Sequence, residues 1–148
     1  MKLNLWLDDV RSAPTFIESG LVWTVAKTAD EAIELLRSGN IEFASLDHDL
    51  AQEHYDANKH SLDFESQEFK AKTGWDVMTW MTENNVWPKN GVRIHTGNGA
   101  RRAIMLSLVE KVYGRTFQYG YGWVGSEGLS NRAEAWSEEE DAVSTNTY

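Results

Sequence analysis

The chain has 148 residues, 41% of them hydrophobic and seven of them Trp, enough for a single globular domain with a real core and too apolar for wholesale disorder. Its 14 Lys and Arg against 23 Asp and Glu give a formal net charge of −9, which repels long nucleic-acid backbones and leaves only a small anionic ligand, met by a local basic pocket, as a nucleotide partner. No apolar run is long enough to span a bilayer, the Met-Lys-Leu-Asn start lacks the apolar stretch of a secretory signal, and cysteine is absent; no membrane partner and a cytoplasmic setting are expected.

The first apolar run, Leu3 to Leu7, is cut off by Asp8-Asp9 and predicts a buried strand. Arg11 to Gly20 holds Pro14 and predicts at most a short helix. Leu21 to Ala26, rich in β-branched and aromatic residues, predicts a second strand. "TADEAIELLRSGN" follows as a helix, with Thr28 as N-cap, Glu31 completing a capping box and Gly39 as the stop. Ile41 to Leu46 is the third strand. Residues 51 to 72 are polar and weakly periodic and predict an inserted loop with at most a helical turn, in which His54 and His60 are solvated. "GWDVMTWMTENN" predicts a helix that buries either Trp75, Met78 and Met81 or Val77 and Trp80. Val92 to His95 is a fourth strand, and "ARRAIMLSLVEKVYG" a last helix after Thr96-Gly97-Asn98-Gly99. "TFQYGYGWVG" holds a fifth strand or an irregular cover, and the acidic tail from Ser137 is expected to be disordered, so that one domain occupies 1–136 and the tail 137–148.

Apolar strands alternating with helices indicate a mostly parallel sheet covered on both faces: an α/β, flavodoxin-like three-layer sandwich with a polar insertion after the third strand. Ligands of such sheets sit beyond the carboxyl ends of the strands where strand order reverses. In the order 2-1-3-4-5 the ends that meet there carry Asp8-Asp9, Asp47-His48-Asp49 and His95-Thr96-Gly97-Asn98, whereas the second strand ends in the blander Lys27-Thr28. Carboxylates gathered at one edge repel unless protonated, dispersed or bound to a cation, and hard oxygen donors suit Mg²⁺ or Mn²⁺. The candidate metal ligands are therefore Asp8, Asp9, Asp47 and Asp49, with turn capping as the alternative for Asp8 or Asp9 alone. His48 and His95, beside carboxylates, are candidate acids or bases. Arg101 and Arg102 fall in the first turn of the last helix, where the macrodipole disfavours cations; an anion bound at that helix start would explain them, and two solvated arginines are the alternative.

With an acidic pair after strand 1, "AKTADEAIELL" after strand 2 and Asp47 ending strand 3, the chain resembles a response-regulator receiver domain. On that resemblance Asp47 takes the place of the phospho-accepting aspartate, Asp8 and Asp9 that of the metal pair, and Thr96 that of the hydroxyl residue after strand 4. No lysine follows Gly114 to match the receiver's strand-5 lysine, and "DHDL", "IHTGN" and the insertion after Leu50 are foreign to signalling receivers. The chain more closely resembles the receiver-like domains proposed to process cyclic phosphates, through Leu7-Asp8-Asp9-Val10-Arg11, Leu46 to Leu50, Thr73 to Val77 and Ile94 to Asn98. The similarity runs over about residues 3 to 110 and leaves the C-terminal part unaccounted for.

That resemblance implies hydrolysis of cyclic nucleotide or cyclic-phosphate signals of the kind used in antiviral immunity; a phage-encoded copy would act as a countermeasure in the host cytoplasm. The expected activity is a metal-assisted phosphodiesterase. Asp8 and Asp47, with Asp9 and Asp49, hold the metal, and His48 or His95 is the acid or base. Arg11, Thr96, Asn98 and Arg101 or Arg102 hold phosphate oxygens, and the insertion closes as a lid. Two rivals stand beside it: a receiver phosphorylated on Asp47, and a non-catalytic protein that sequesters the nucleotide on its Trp and Tyr rings. Homo-oligomerisation is left open.

Overall fold

A computed structural model describes residues 1–15 and 20–117. Its strands β1 (Leu3–Leu7), β2 (Trp23–Ala26), β3 (Ile41–Leu46) and β4 (Val92–Ile94) form one parallel sheet in the order β2-β1-β3-β4. Helices α1 (Ala29–Arg37), α2 (Gln52–Lys59), α3 (Gly74–Asn84) and α4 (Gly99–Tyr113) lie in the connections, with a 3-10 turn at Phe64–Ser66. This is the parallel α/β sheet that the alternation of elements predicts, in the receiver-like arrangement that the motif resemblance implies.

Local signals explain the helix boundaries. Thr28 Oγ1 accepts from the Glu31 N–H, and Glu31 reaches back to the N–H of Lys27, one residue earlier than a standard capping box. Gly39 ends the α1 region with φ +82°, a conformation open to glycine and strained for other residues. Thr73 and Asp76 form a full capping box at α3, and Asn98 caps α4 through the Arg101 N–H.

The main core lies on one face of the sheet. Leu5, Leu7, Ala44, Leu46, Val92 and Ile94 meet Ala32 and Leu36 of α1, Val77, Met78 and Met81 of α3, and Met105 and Val109 of α4. The two stripes expected for α3 thus share the burial: Val77, Met78 and Met81 are buried, while Trp75 and Trp80 pack at the margin. Trp6 and Phe43 form a second cluster with Ala13, Trp23 and Phe117. The pairing of β1 with β3 slips at Leu3/Asn4, where Ile41 faces Leu3 and Phe43 faces Asn4; this irregularity turns Phe43 away from the cluster that holds Ile41 and Ala44.

Three expectations are corrected. The second strand begins at Trp23, Leu21 making only an isolated bridge. The insertion is more ordered than a loop with one turn, since α2 runs through Gln52–Lys59. His54, expected in solvent, is fully buried: Nδ1 accepts from the Leu50 N–H and Nε2 donates to the Ala71 carbonyl, tying the two ends of the insertion together. His60 is exposed, as expected. No helix is present at residues 11–15, and the rest of the expected first helix at 16–19 lies outside the described residues. So do most of the candidate fifth strand and the whole 137–148 tail. Among the described residues no helix is long and apolar enough to cross a membrane.

Gly74 opens α3 directly beneath the loop that follows β3. Its N–H donates to the His48 carbonyl at 2.9 Å, and a Cβ on it would overlap the Asp47 carbonyl. In an open helix position Gly→Ala would stabilise by about 1 kcal/mol. Here the overlap reverses the sign, and Gly74→Ala is expected to destabilise the fold by about 1–3 kcal/mol in urea unfolding. A neutral or stabilised variant would mean that this packing does not hold the loop.

Candidate functional site

The register of the sheet assembles the site. Leu7 pairs with Leu46, and Leu46 with Ile94, so the residues that follow them, Asp8, Asp47 and His95, leave three adjacent strands at one level. Neighbouring strands lie about 4.8 Å apart. Accordingly, one ligand atom from each of Asp8, Asp47 and His95 falls within 4.8 Å of the other two, and all three side chains are buried. With β2 beside β1 and β3 on its other side, strand order reverses here, the position where open parallel sheets bind ligands.

One rung below, strand alternation places Trp6, Ser45 and Arg93 on the same face. Trp6 stacks on His95, ring centroids 3.9 Å apart and 5° from parallel. Ser45 Oγ lies 2.8 Å from His95 Nδ1 and within 3.4 Å of Arg93 Nε. His95 Nε2 is 3.0 Å from Asp8 Oδ2. The imidazole is therefore held on one face by Trp6 and at both ring nitrogens by Ser45 and Asp8. Trp6, Ser45 and Arg93 were not among the residues expected at the site, although each stands two residues before a site residue that follows its strand.

Arg11 completes this centre from the loop after β1. Its Nε is 3.1 Å from Asp8 Oδ2, its Nη2 is 3.6 Å from Asp47 Oδ2, and Nη2 donates to the His95 carbonyl at 3.0 Å. The guanidinium offsets part of the repulsion between the two carboxylates. Burial would raise the pKa of Asp8, but the bond from His95 and those from the Arg11 and Val10 N–H groups outweigh it and hold the carboxyl below its usual range. Asp47 goes the other way. Burial and then the charge of Asp8 push it up to about 7, against Arg11, the Thr96 hydroxyl and the His48 N–H. Burial brings His95 down to about 4 despite Asp8, so its ring is neutral near pH 7.

The four carboxylates expected to share a metal do not converge. Asp8 and Asp47 sit together with His95, while Asp9 turns aside to accept from the Tyr55 hydroxyl of α2 at 2.6 Å. Asp49 belongs to a second group: His48 Nδ1 is 2.7 Å from its Oδ1, and Asn98 Nδ2 is 3.3 Å from the same atom. On the far side of the ring, Arg101 Nε approaches His48 Nε2 at 3.4 Å. With Arg101 donating, Nε2 is the acceptor and Nδ1–H donates to Asp49, the tautomer an Asp–His pair needs for base chemistry. Burial, opposed by Asp49, holds the His48 pKa below its usual value. This group borders a cavity of about 390 Å³ roofed by the insertion.

Thr96 bonds the Asp47 carboxylate and accepts from the Asn98 N–H at 3.1 Å, so it joins the two groups. Asn98 spends its oxygen on the α4 cap and its amide on Asp49. Arg101 enters the site and is buried, whereas Arg102 is half-buried outside the cavity, and its Nε has no partner among the described residues.

A parallel sheet that gathers buried carboxylates at its carboxyl edge defines a receiver-type α/β domain. Within that class, residues 3–111 match the family described as the Cyclic-phosphate processing Receiver domain, and the chain belongs to it. No curated protein and no solved structure matches the chain.

The raised Asp47 carboxyl makes a stability prediction. From pH 3.8 to about 7 the folded state keeps a proton that the unfolded state has lost, so this group's contribution is full below pH 3.8 and disappears as pH rises through 7. In metal-free buffer, Asp47→Asn should therefore gain stability over the parent, from near zero at about pH 4 to about 1–3 kcal/mol above pH 7. His95 acts oppositely, losing stability as pH falls from 6.5 to about 4, and that limb should persist in the variant. Urea unfolding across this range tests the sign; a difference that does not vary with pH would contradict it.

Proposed function

We propose that the chain is a phosphoesterase that opens a cyclic phosphate, a cyclic nucleotide or cyclic oligonucleotide, at the Asp8–Asp47–His95 centre. The observation that carries this reading is the convergence of two buried carboxylates and an imidazole within 4.8 Å at the sheet's reversal point, in a chain of the cyclic-phosphate processing family.

The donors fit a divalent cation. Two hard oxygen donors and an imidazole suit Mg²⁺ or Mn²⁺, and the upward push on Asp47 is the strain a second positive charge would relieve. Asp8 and Asp47 would hold the ion, with His95 as third donor if its proton sits on Nδ1 toward Ser45; Asp9 and Asp49 are engaged elsewhere. Arg11, whose side chain is 46% exposed, could exchange its bonds to the carboxylates for a phosphate oxygen. A bound ion would lower the pKa of a water and shield the phosphate charge.

The remaining steps belong to this chain's own side chains. His48, oriented by Asp49 and neutral, can serve at Nε2 as a base for water once Arg101 gives up its bond to that nitrogen, and in protonated form can return the proton to the departing ribose oxygen. Thr96 and Arg101 can donate to phosphate oxygens on either side of Asp47. Hydrolysis of this kind is what a phage countermeasure to nucleotide-based immunity requires.

Cyclic mono-, di- and trinucleotides, each incubated with Mg²⁺, Mn²⁺ or EDTA and resolved by chromatography, test the reading. Product is expected only with metal. Asp8→Asn and Asp47→Asn should abolish turnover, and His48→Ala should lower it about 10²–10⁴-fold with a smaller effect on binding. Turnover that survives EDTA would remove the metal. Binding without product from any compound would leave a sequestering protein, and a stable phosphoryl group on Asp47 after treatment with a small phosphodonor would leave a receiver.

A further inference from the structure

Arg101 is a buried cation in an unusual setting. Only 9% of its side chain is exposed, and its guanidinium carbon lies 5.7 Å from the Phe64 ring centre and 6.0 Å from that of Trp75. Nε is directed to His48, leaving Nη1 to pair with Glu65 Oε2 at 2.9 Å. Among the described residues Glu65 is the carboxylate that neutralises it. Glu65 is itself poorly anchored: its side chain is 69% exposed, and it rides on the three-residue 3-10 turn Phe64–Ser66, held by an N–H bond to Asp63. Short 3-10 turns have weak hydrogen bonds, and an exposed carboxylate is readily screened.

A guanidinium fork accepts a carboxylate or a phosphate with the same paired geometry. The cavity of about 390 Å³ beside this pair is lined by His48, Phe64, Glu65, Phe69, Trp75 and Arg101 among others, at the small end of the range for ligand pockets. Aromatic rings and a cation lining the same cavity match one nucleotide unit, a flat base carrying an anion.

We propose that Glu65 is a built-in stand-in for a nucleotide phosphate. It occupies Arg101 until the phosphate displaces it, the Phe64–Ser66 turn shifts, and the cavity takes the attached nucleoside. The ligand class rests on the reading of the previous subsection; the exchange at Arg101 does not require turnover. Glu65 thereby sets affinity from outside the reacting centre, as an internal competitor.

Titration calorimetry of metal-stripped protein with inorganic phosphate, and separately with adenosine 3′,5′-cyclic monophosphate, tests this without any hydrolysis. Glu65→Gln, a change at an exposed side chain, should tighten phosphate binding about ten-fold, because the competing charge is gone. Arg101→Ala should erase that gain when combined with Glu65→Gln; if it does not fold, Arg101→Lys, which keeps the charge but not the fork, should diminish it. Cyclic AMP should follow the same order and bind more tightly than phosphate. Equal phosphate affinity in the parent and Glu65→Gln, or a gain that persists without Arg101, would overturn the exchange. Equal affinity for phosphate and cyclic AMP would overturn the nucleoside seat. An intact exchange with no product from any cyclic nucleotide would instead overturn hydrolysis alone.

Discussion

The pairing register of β1, β3 and β4 is the constraint on which the rest of this molecule depends. Because Leu7, Leu46 and Ile94 share a level, Asp8, Asp47 and His95 emerge side by side one residue later. A slip of one residue in any strand would reverse the facing of its side chains and dissolve the group. The register is fixed in turn by the core: Leu5, Leu7, Ala44, Leu46, Val92 and Ile94 must all face the same layer of helices. Hydrophobic burial, which has no interest in chemistry, thus sets the position of the ionisable groups.

Those groups are held in tension. Asp8 and Asp47 are both removed from water, yet only Asp8 has enough donors to stay ionised comfortably. Arg11 supplies the positive charge, from a half-exposed loop rather than from the sheet. A buried pair of like charges stabilised by a removable cation is poorly arranged for stability and well arranged for exchanging that cation. The imidazole of His95, by contrast, is fixed by Trp6, Ser45 and Asp8 and has little freedom to reorient.

The chain reverses its facing immediately after Asp47. Asp47 joins the centre on the Trp6 side, and His48 joins Asp49, Asn98 and Arg101 beside the insertion cavity. Gly74 is what lets the backbone of this turn lie against α3. The insertion adds its own core, His54 against Phe69 and Phe64 against His48, so a polar segment becomes a roof rather than a loose loop. Tyr55 carries the same segment to Asp9, linking the roof to the end of β1.

The sequence by itself determined the four described strands, apart from the start of the second, and the three helices that line the core, because apolar periodicity, the Thr28 cap and Gly39 act within a few residues of one another. It also determined which strand ends carry ionisable groups, since these interrupt apolar runs. It did not separate Asp9 and Asp49 from Asp8 and Asp47, because adjacent carboxylates look alike until the backbone beyond the strand chooses a direction for each. It placed His54 in solvent because the neighbours of that residue in the chain are polar, whereas its bonding partners are Leu50 and a carbonyl 17 residues away at Ala71. Trp6, Ser45, Arg93 and Glu65 acquired their roles only through contacts between segments distant in sequence. Only the tertiary structure decided those, since register and the path of the insertion arise from packing that no local pattern encodes.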